Sequence, residues 1–275
     1  MRSTLYILVF SLVPFIVLSC VSTTTTSQRF ADSAGAAAPV TNIDVTDPQN
    51  FSFAMVGDLH IGNQGVQRLN EIITAAQAEN DAFIVFLGDL VQDGNAADVT
   101  AFRTAMANSV YAQKFAPVIG NHDIFNDGWK YYLQSNGASH YTFTAGNSEF
   151  IVMDTGDGTL GNDQLAWLQG VLGQNLPSNT FMLSHYGPQV PQIQTYLKLA
   201  DLDEATKILK LAVTNGVRGW YAAHYHSYVT GTINGVDLVI AGGGGGQRMP
   251  PYAGFFYVQV TVQGTKVSYQ PHSIN

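Results

Sequence analysis

Residues 51–60 read Phe51-Ser52-Phe53-Ala54-Met55-Val56-Gly57-Asp58-Leu59-His60. A mostly apolar run stops at a glycine, and an acid and an imidazole follow at once. An apolar run of this length, closed by a turn residue, reads as a buried strand. The glycine lets the backbone bend sharply, so the next side chain can leave the strand end and face a cleft. The same arrangement returns twice. Ala82–Leu87 runs into Gly88-Asp89, and Phe115–Ile119 runs into Gly120-Asn121-His122-Asp123. Between the runs, Val66, Leu69, Ile72, Ile73 and Ala76 recur at helical spacing, as do Val99, Phe102, Ala105 and Met106. The three polar loops are about 30 residues apart, the length of a βαβ unit. Strands joined in that way are parallel and carry their following loops at one end of the sheet, where open α/β sheets bind ligands.

The second half of the chain changes character. Tyr141–Thr144 and Phe150–Met153 read as strands close together, and Asn162–Leu172 and Leu202–Asn215 read as helices. Phe181–Ser184 is a strand that leads into His185-Tyr186, and Val217–Ala222 leads into Ala223-His224-Tyr225-His226. Val229–Ile233, Val236–Ala241, Phe255–Val262 and Lys266–Tyr269 complete the strands, and Asn234-Gly235 between two of them is a hairpin turn signal. The expected fold class is α/β, with two mixed β-sheets packed as a sandwich and helices outside. Of the 7 histidines, His60, His122, His185, His224 and His226 fall in strand-end loops, and only His140 and His272 lie elsewhere. Random placement rarely produces such clustering.

Composition narrows the chemistry. A formal net charge of −8 argues against nucleic-acid binding by electrostatics, although metal cations can supply local positive charge for a phosphate ester. The single cysteine, Cys20, excludes an intramolecular disulfide and a thiolate metal cluster, so any metal must be held by nitrogen and oxygen. There is no Gly-X-Ser-X-Gly elbow and no His-Glu-X-X-His helix.

Taken in order, Asp58-Leu59-His60, Gly88-Asp89, Gly120-Asn121-His122-Asp123, the lone His185 and His224-Tyr225-His226 resemble the motif set of the calcineurin-like metallophosphoesterase family. The resemblance runs from Phe51 to Tyr269. It implies a four-layer α/β/β/α fold and a hydrolase for phosphate mono- or diesters. It also implies two metal ions, Mn, Fe or Zn. Asp58, His60, Asp89 and His226 would hold one ion, and Asp89, Asn121, His185 and His224 the other. Water activated between the ions would attack phosphorus. His122 would face the leaving group as general acid, and Asp123 either takes a direct part in catalysis or only caps the following segment or orients His122. A shared carboxylate at Asp89 suits the physics, because two close cations need an anionic oxygen between them and a neutral imidazole cannot supply it. The alternative is a lipid-anchored binding protein that keeps the metal site without turnover; such a protein has no need of His122.

The sequence departs from the family pattern at Ala223, where glycine ordinarily precedes the paired histidines, and a small local backbone shift is expected there. Gln92 stands where purple acid phosphatases carry their tyrosine, which argues against a purple iron site. His140 and His272 read as packed core histidines, and Asp154 as a turn former. Gly242–Gly246 lacks the features of a P-loop and reads as a flexible wall near the paired histidines. Tyr186, Tyr225 and Tyr228 either pack on the sheets or stack on a substrate. Arg248 is a candidate contact for a second anionic group.

The amino terminus reads as a targeting segment. Arg2 supplies a positive start, and Leu5–Leu18 is nearly all apolar yet short of the ~20 residues needed to span a bilayer. Val17-Leu18-Ser19-Cys20 resembles a bacterial lipoprotein cleavage box. The expected organisation is a signal peptide over 1–19, a flexible Ser/Thr/Ala-rich tether over 20–47 and the phosphoesterase domain over 48–275. Lipid on Cys20 would hold the protein at the membrane of the bacterial cell envelope, outside the cytoplasm.

Overall fold

The structure, a computed structural model, describes residues 24–62, 66–188, 198–252 and 254–274. The expected signal peptide and Cys20 lie outside the described residues. Two sheets carry the fold. The first holds β2 (Asn50–Val56), β3 (Ile84–Leu87), β4 (Phe115–Val118), β11 (Phe255–Gln263) and β12 (Lys266–Ile274), in the order β12-β11-β2-β3-β4. The second holds β1 (Asn42–Ile43), β5 (Tyr141–Ala145), β6 (Ser148–Val152), β7 (Asn179–Leu183), β8 (Gly219–Ala222), β9 (Tyr228–Ile233) and β10 (Val236–Ala241), in the order β1-β5-β6-β7-β8-β10-β9. The β2-β3-β4 and β6-β7-β8 runs are parallel, while β11 and β9 pair antiparallel with their neighbours. This is the expected pair of mixed sheets.

Alternation along the strands explains the layering. In β2, Phe53 and Met55 face the other sheet, and Ala54 and Val56 face the helices on the outside. The inter-sheet core is aromatic. Phe53 stacks on Phe83 at 4.7 Å, Phe143 stacks on Phe150 at 4.6 Å, and Phe150 meets Phe53 edge-on at 5.4 Å. The outer face of the first sheet is covered by α2 (Gln67–Ala78), α3 (Ala96–Ala107) and α4 (Trp129–Asn136). The second sheet is covered by α5 (Asn162–Leu172) and α6 (Leu202–Thr214). The buried faces of α2 and α3 use Leu69, Ile72, Ile73 and Ala76 and then Val99, Phe102 and Met106, which is the periodicity read in the sequence. Asn234 and Gly235 both have positive φ, as a two-residue hairpin between β9 and β10 requires. Among the described residues, no helix is long and apolar enough to cross a membrane.

The expected tether over 20–47 needs correction. Residues 24–47 are packed on the domain. They form α1 (Thr26–Ser33) and β1, which pairs in parallel with β5. Arg29 is 0% exposed; its Nε and a terminal nitrogen donate to Asp154 Oδ2 and Oδ1 at 2.8 and 2.9 Å. Phe30 stacks on His140, Trp129 Nε1 donates to Asp32 at 2.8 Å, and Ser33 Oγ accepts from Ser139 N. Apolar periodicity did not reveal this segment because polar contacts and one buried ion pair hold it. Removing one partner of such a pair leaves an uncompensated charge and costs roughly 3–5 kcal/mol.

Candidate metal centre

Five strand ends meet at one rim of the sandwich. Asp58 and His60 follow β2, Asp89 follows β3, Asn121 and His122 follow β4, His185 follows β7, and His224 and His226 follow β8. The first two loops are laced together by backbone hydrogen bonds from Asp58 N to Gly88 O and from His60 N to Asp89 O, each 3.0 Å. Asp58, His60, Asp89 and His224 all have positive φ, between 49° and 62°. For a non-glycine residue that conformation costs roughly 1–3 kcal/mol and persists where surrounding structure imposes it. Four of the expected ligands are held in it.

The donor atoms converge. Ligand atoms of Asp58, His60 and His226 lie within 4.8 Å of one another, as do those of His60, Asp89 and His122 and those of Asp89, His185 and His224. Asp89 belongs to two of these groups and stands between them: its Oδ2 is 3.7 Å from His60 Nε2 and 3.3 Å from His185 Nε2. His185 Nε2 is also 3.1 Å from Asn121 Oδ1 and 3.1 Å from His224 Nδ1. His60 Nε2 is 3.4 Å from His226 Nε2. All seven residues expected as metal ligands are therefore brought together.

Backbone carbonyls fix how three of the rings present themselves. His185 Nδ1 lies 2.8 Å from Leu87 O, His226 Nδ1 2.8 Å from Gln247 O, and His122 Nδ1 2.6 Å from Gln92 O. A carbonyl only accepts, so each Nδ1 carries a proton and Nε2 is the ring nitrogen turned toward the cleft. These three carbonyls are functional groups that no residue-type pattern signals. Tyr186 stacks on His224 at 3.9 Å, whereas Tyr225 donates to Pro250 O and Tyr228 packs on Tyr252 and Phe256.

The electrostatics are those of close acid–imidazole pairs. Burial pulls His185 down, but Asp89 and then Asp58 outweigh it and push the imidazole up to about 9. Burial is likewise outweighed at His226 by Asp58, again to about 9. His224, buried and facing His185, is pushed down to about 3. Burial opposes ionisation of Asp58 and Asp89, yet their histidine neighbours hold both carboxyls below the usual carboxylate range. Asp58 Oδ1 is buried and has no hydrogen-bond partner, and it faces His226 Nε2 at 3.4 Å. An unmet anionic oxygen among imidazole nitrogens is what a cation would satisfy.

Three expectations change or narrow. Of the two roles open to Asp123, the contacts favour the structural one: its Oδ1 accepts from Val91 N at 3.1 Å and its Oδ2 from Gly120 N at 2.8 Å. Both oxygens are engaged in tying two ligand loops together, so its place is structural. Gly242–Gly246 is not a flexible wall. Gly244 N donates to Gly57 O and Gly246 N to Asp58 O, and a methyl group at Gly246 would lie 2.3 Å from the His226 ring. The run is glycine because the Asp58 loop and His226 press against it. Ala223 needs no backbone shift, because the positive φ falls one residue later, at His224. Asp154 does form a turn, accepting from Gly156 N, and it also holds the buried Arg29. Arg248 lies over the Phe255 ring at 5.1 Å. His140 packs between Phe30 and Trp167, and His272 stacks on Tyr257.

Comparison with known proteins agrees with this arrangement. A family model described as calcineurin-like phosphoesterase matches residues 51–242. The chain is 28% identical over 199 residues to a Rhodococcus erythropolis protein named probable cyclic nucleotide phosphodiesterase, a match that covers 67% of this chain. It spans 65% of that relative's length. Among solved structures, a dimetal phosphatase from Danio rerio superimposes with a TM-score of 0.61 at 16% identity, covering 81% of this chain and 96% of the other. GAP50 of Plasmodium gives 0.60 at 15% identity, covering 82% and 84%. A purple acid phosphatase from yellow lupin gives 0.59 at 13% identity, covering 83% and 54%. At such identities these structures establish the shared fold.

Proposed function

The chain belongs to the calcineurin-like phosphoesterase family, and from that premise we propose that it hydrolyses phosphodiesters at a dinuclear metal centre. Asp58, His60, Asp89 and His226 would hold one ion and Asp89, Asn121, His185 and His224 the other. The observation that carries this reading is the position of Asp89, whose carboxylate is shared by two clusters of ligand atoms. Carboxylate, imidazole and amide donors without a thiolate suit Mn, Fe or Zn. When bound, two such ions supply Lewis-acid activation of water and neutralise charge on the phosphoryl oxygens.

The protein's own groups do the rest. The Leu87 and Gln247 carbonyls hold the His185 and His226 rings in the tautomer that offers Nε2. Asp123 fixes the spacing of the Asp89 and Asn121 loops through Val91 N and Gly120 N. His122 N donates to Asp89 Oδ1 at 2.8 Å, which orients the shared carboxylate. The His122 ring stands edge-on to His60 at 4.4 Å, with Nδ1–H on the Gln92 carbonyl, so that only the doubly protonated ring, carrying a second proton on Nε2, would serve as the acid for the departing alkoxide.

A diester is favoured over a monoester because the Rhodococcus relative is named a probable cyclic nucleotide phosphodiesterase. The test is hydrolysis of an aryl phosphodiester, an aryl phosphomonoester, and 2′,3′- and 3′,5′-cyclic AMP by the Mn-loaded protein. Faster turnover of diesters is expected; turnover of the monoester alone would refute the substrate class. Protein that binds two ions and turns over neither would be a binding module instead. The same proposal keeps the Val17–Cys20 box as a lipidation site at the cell envelope. Palmitate label that persists in Cys20→Ala would refute it.

A further inference from the structure

The post-β6 loop, Asp154-Thr155-Gly156, touches two ligand loops at once. Thr155 Oγ1 accepts from Tyr186 N at 2.9 Å, directly after His185, and the Tyr186 ring stacks on His224. A methyl group at Gly156 would lie 3.3 Å from Gly120 O, directly before Asn121. Asn121 Oδ1 and His224 Nδ1 each lie 3.1 Å from His185 Nε2, so the three side chains form one set. On its other side the loop is fastened to the amino-terminal segment. Arg29 grips Asp154 through two bonds, and its other terminal nitrogen donates to Thr24 O at 2.8 Å. Asp154 Oδ1 also accepts from Gly156 N at 3.0 Å, so the carboxylate that Arg29 neutralises shapes the loop. Gln164 clamps the Asp154 backbone from α5, donating to its carbonyl and accepting from its amide, both at 2.8 Å.

We propose that Arg29, carried by α1, is a positioning residue for the Asn121–His185–His224 ligand set, acting through Asp154 and Thr155. The proposal rests on the dinuclear reading above. A segment whose composition suggests a linker is then part of the machinery that shapes one half of the centre. In the other half, Asp58 and His60 lie on the loop after β2, which this chain of contacts does not touch, and only His226 shares a loop with His224. Arg29 therefore affects the two ions unequally, whereas a staple that only adds stability affects neither affinity in the folded range.

The experiment titrates metal-free protein with Mn alone and follows free Mn by paramagnetic resonance, with thermal unfolding as a control. Wild type should bind two ions; one ion only would overturn the dinuclear reading itself. Arg29→Gln should weaken the second ion roughly 10–100-fold, the usual range for outer ligand-shell partners, and leave the first near wild type. Thr155→Val, which leaves α1 and Arg29 in place, should weaken the same ion, and Thr155→Ser should restore it. Equal affinities in folded Arg29→Gln and wild type would overturn the proposal. Should Arg29→Gln not fold, unchanged binding in Thr155→Val would overturn it as well.

Discussion

Gly57 and Ala223 face each other across the seam between the two sheets, and a methyl group at position 57 would lie 2.2 Å from Ala223 Cβ. Each residue directly precedes a candidate ligand, Asp58 or His224, and His224 N donates to Asp58 Oδ2 at 3.1 Å. The methyl that this chain carries at 223, where the family pattern has glycine, fills the space left by the missing Cβ at 57. Gly57→Ala alone should overpack the seam and cost about 1–3 kcal/mol in denaturant unfolding. Ala223→Gly should cost less, roughly 0.5–1 kcal/mol. The double variant Gly57→Ala/Ala223→Gly should recover most of the loss. Additive costs in that cycle would show that the two positions do not interact.

Asp89 belongs to two clusters of ligand atoms, so in the proposed dinuclear centre its replacement should affect both ions together. Asp89→Asn keeps the shape and removes the charge that offsets cation repulsion. Elemental analysis after dialysis should find both ions depleted. Activity should fall by at least roughly 10²–10³-fold, the cost of losing one electrostatic stabiliser. A variant that kept both ions at wild-type affinity would rule out Asp89 as the bridge.

The metal-free protein should respond to pH in two opposite ways. His185 and His226 are held up to about 9 by Asp89 and Asp58 against the pull of burial. A raised histidine stabilises the fold fully below its ordinary value of about 6.5, and that contribution is lost as pH rises toward the folded value. Unfolding free energy of the metal-free protein should therefore decline from about pH 6.5 to 9. Metal binding runs the other way, because each ligand must first lose its proton. Apparent Mn affinity should rise across that window, by up to about one decade per pH unit for each of the two histidines. Calorimetry in buffers of different ionisation enthalpy counts the protons released. Release of none at pH 7 would refute the assignment.

Much of the site could be read in the sequence because chain order and sheet order coincide. Each parallel strand delivers its polar loop to the same rim, so Asp58, Asp89 and Asn121 needed only the βαβ spacing to be placed together. The bounds of α5, Asn162 to Leu172, are those read in the sequence, although its buried face begins with Gln164. α1 was not legible, because its hold on the domain is polar and long-range: Arg29 meets Asp154, and periodicity carries no trace of that; β1, Asn42–Ile43, buries Ile43 but is too short to show alternation. α4 spans only Trp129–Asn136, too short for an apolar period to announce it. β12 runs on to Ile274, past Pro271, which interrupts the pattern; a proline is tolerated there because β12 is an edge strand. The carbonyls of Leu87, Gln92 and Gln247 could not be read at all, since every residue has one.

In the proposed mechanism His122 delivers a proton and holds no metal, and its replacement separates the two functions. Its Nδ1–H is held by Gln92 O and its backbone amide by Asp89 Oδ1, so the backbone bond survives replacement of the ring. His122→Ala should therefore keep both ions while losing the acid, a contribution of about 10²–10⁴-fold. The loss should depend on the leaving group. A nitrophenolate departs with little help, so an aryl diester should lose the least. An alkoxide such as the ribose oxygen of a cyclic nucleotide needs the proton, so there the loss should be greatest. Measuring kcat for both substrates on wild type and variant, with metal content checked in parallel, decides the matter. Equal losses on both, with both ions present, would assign His122 to phosphoryl charge stabilisation and not to protonation of the leaving group.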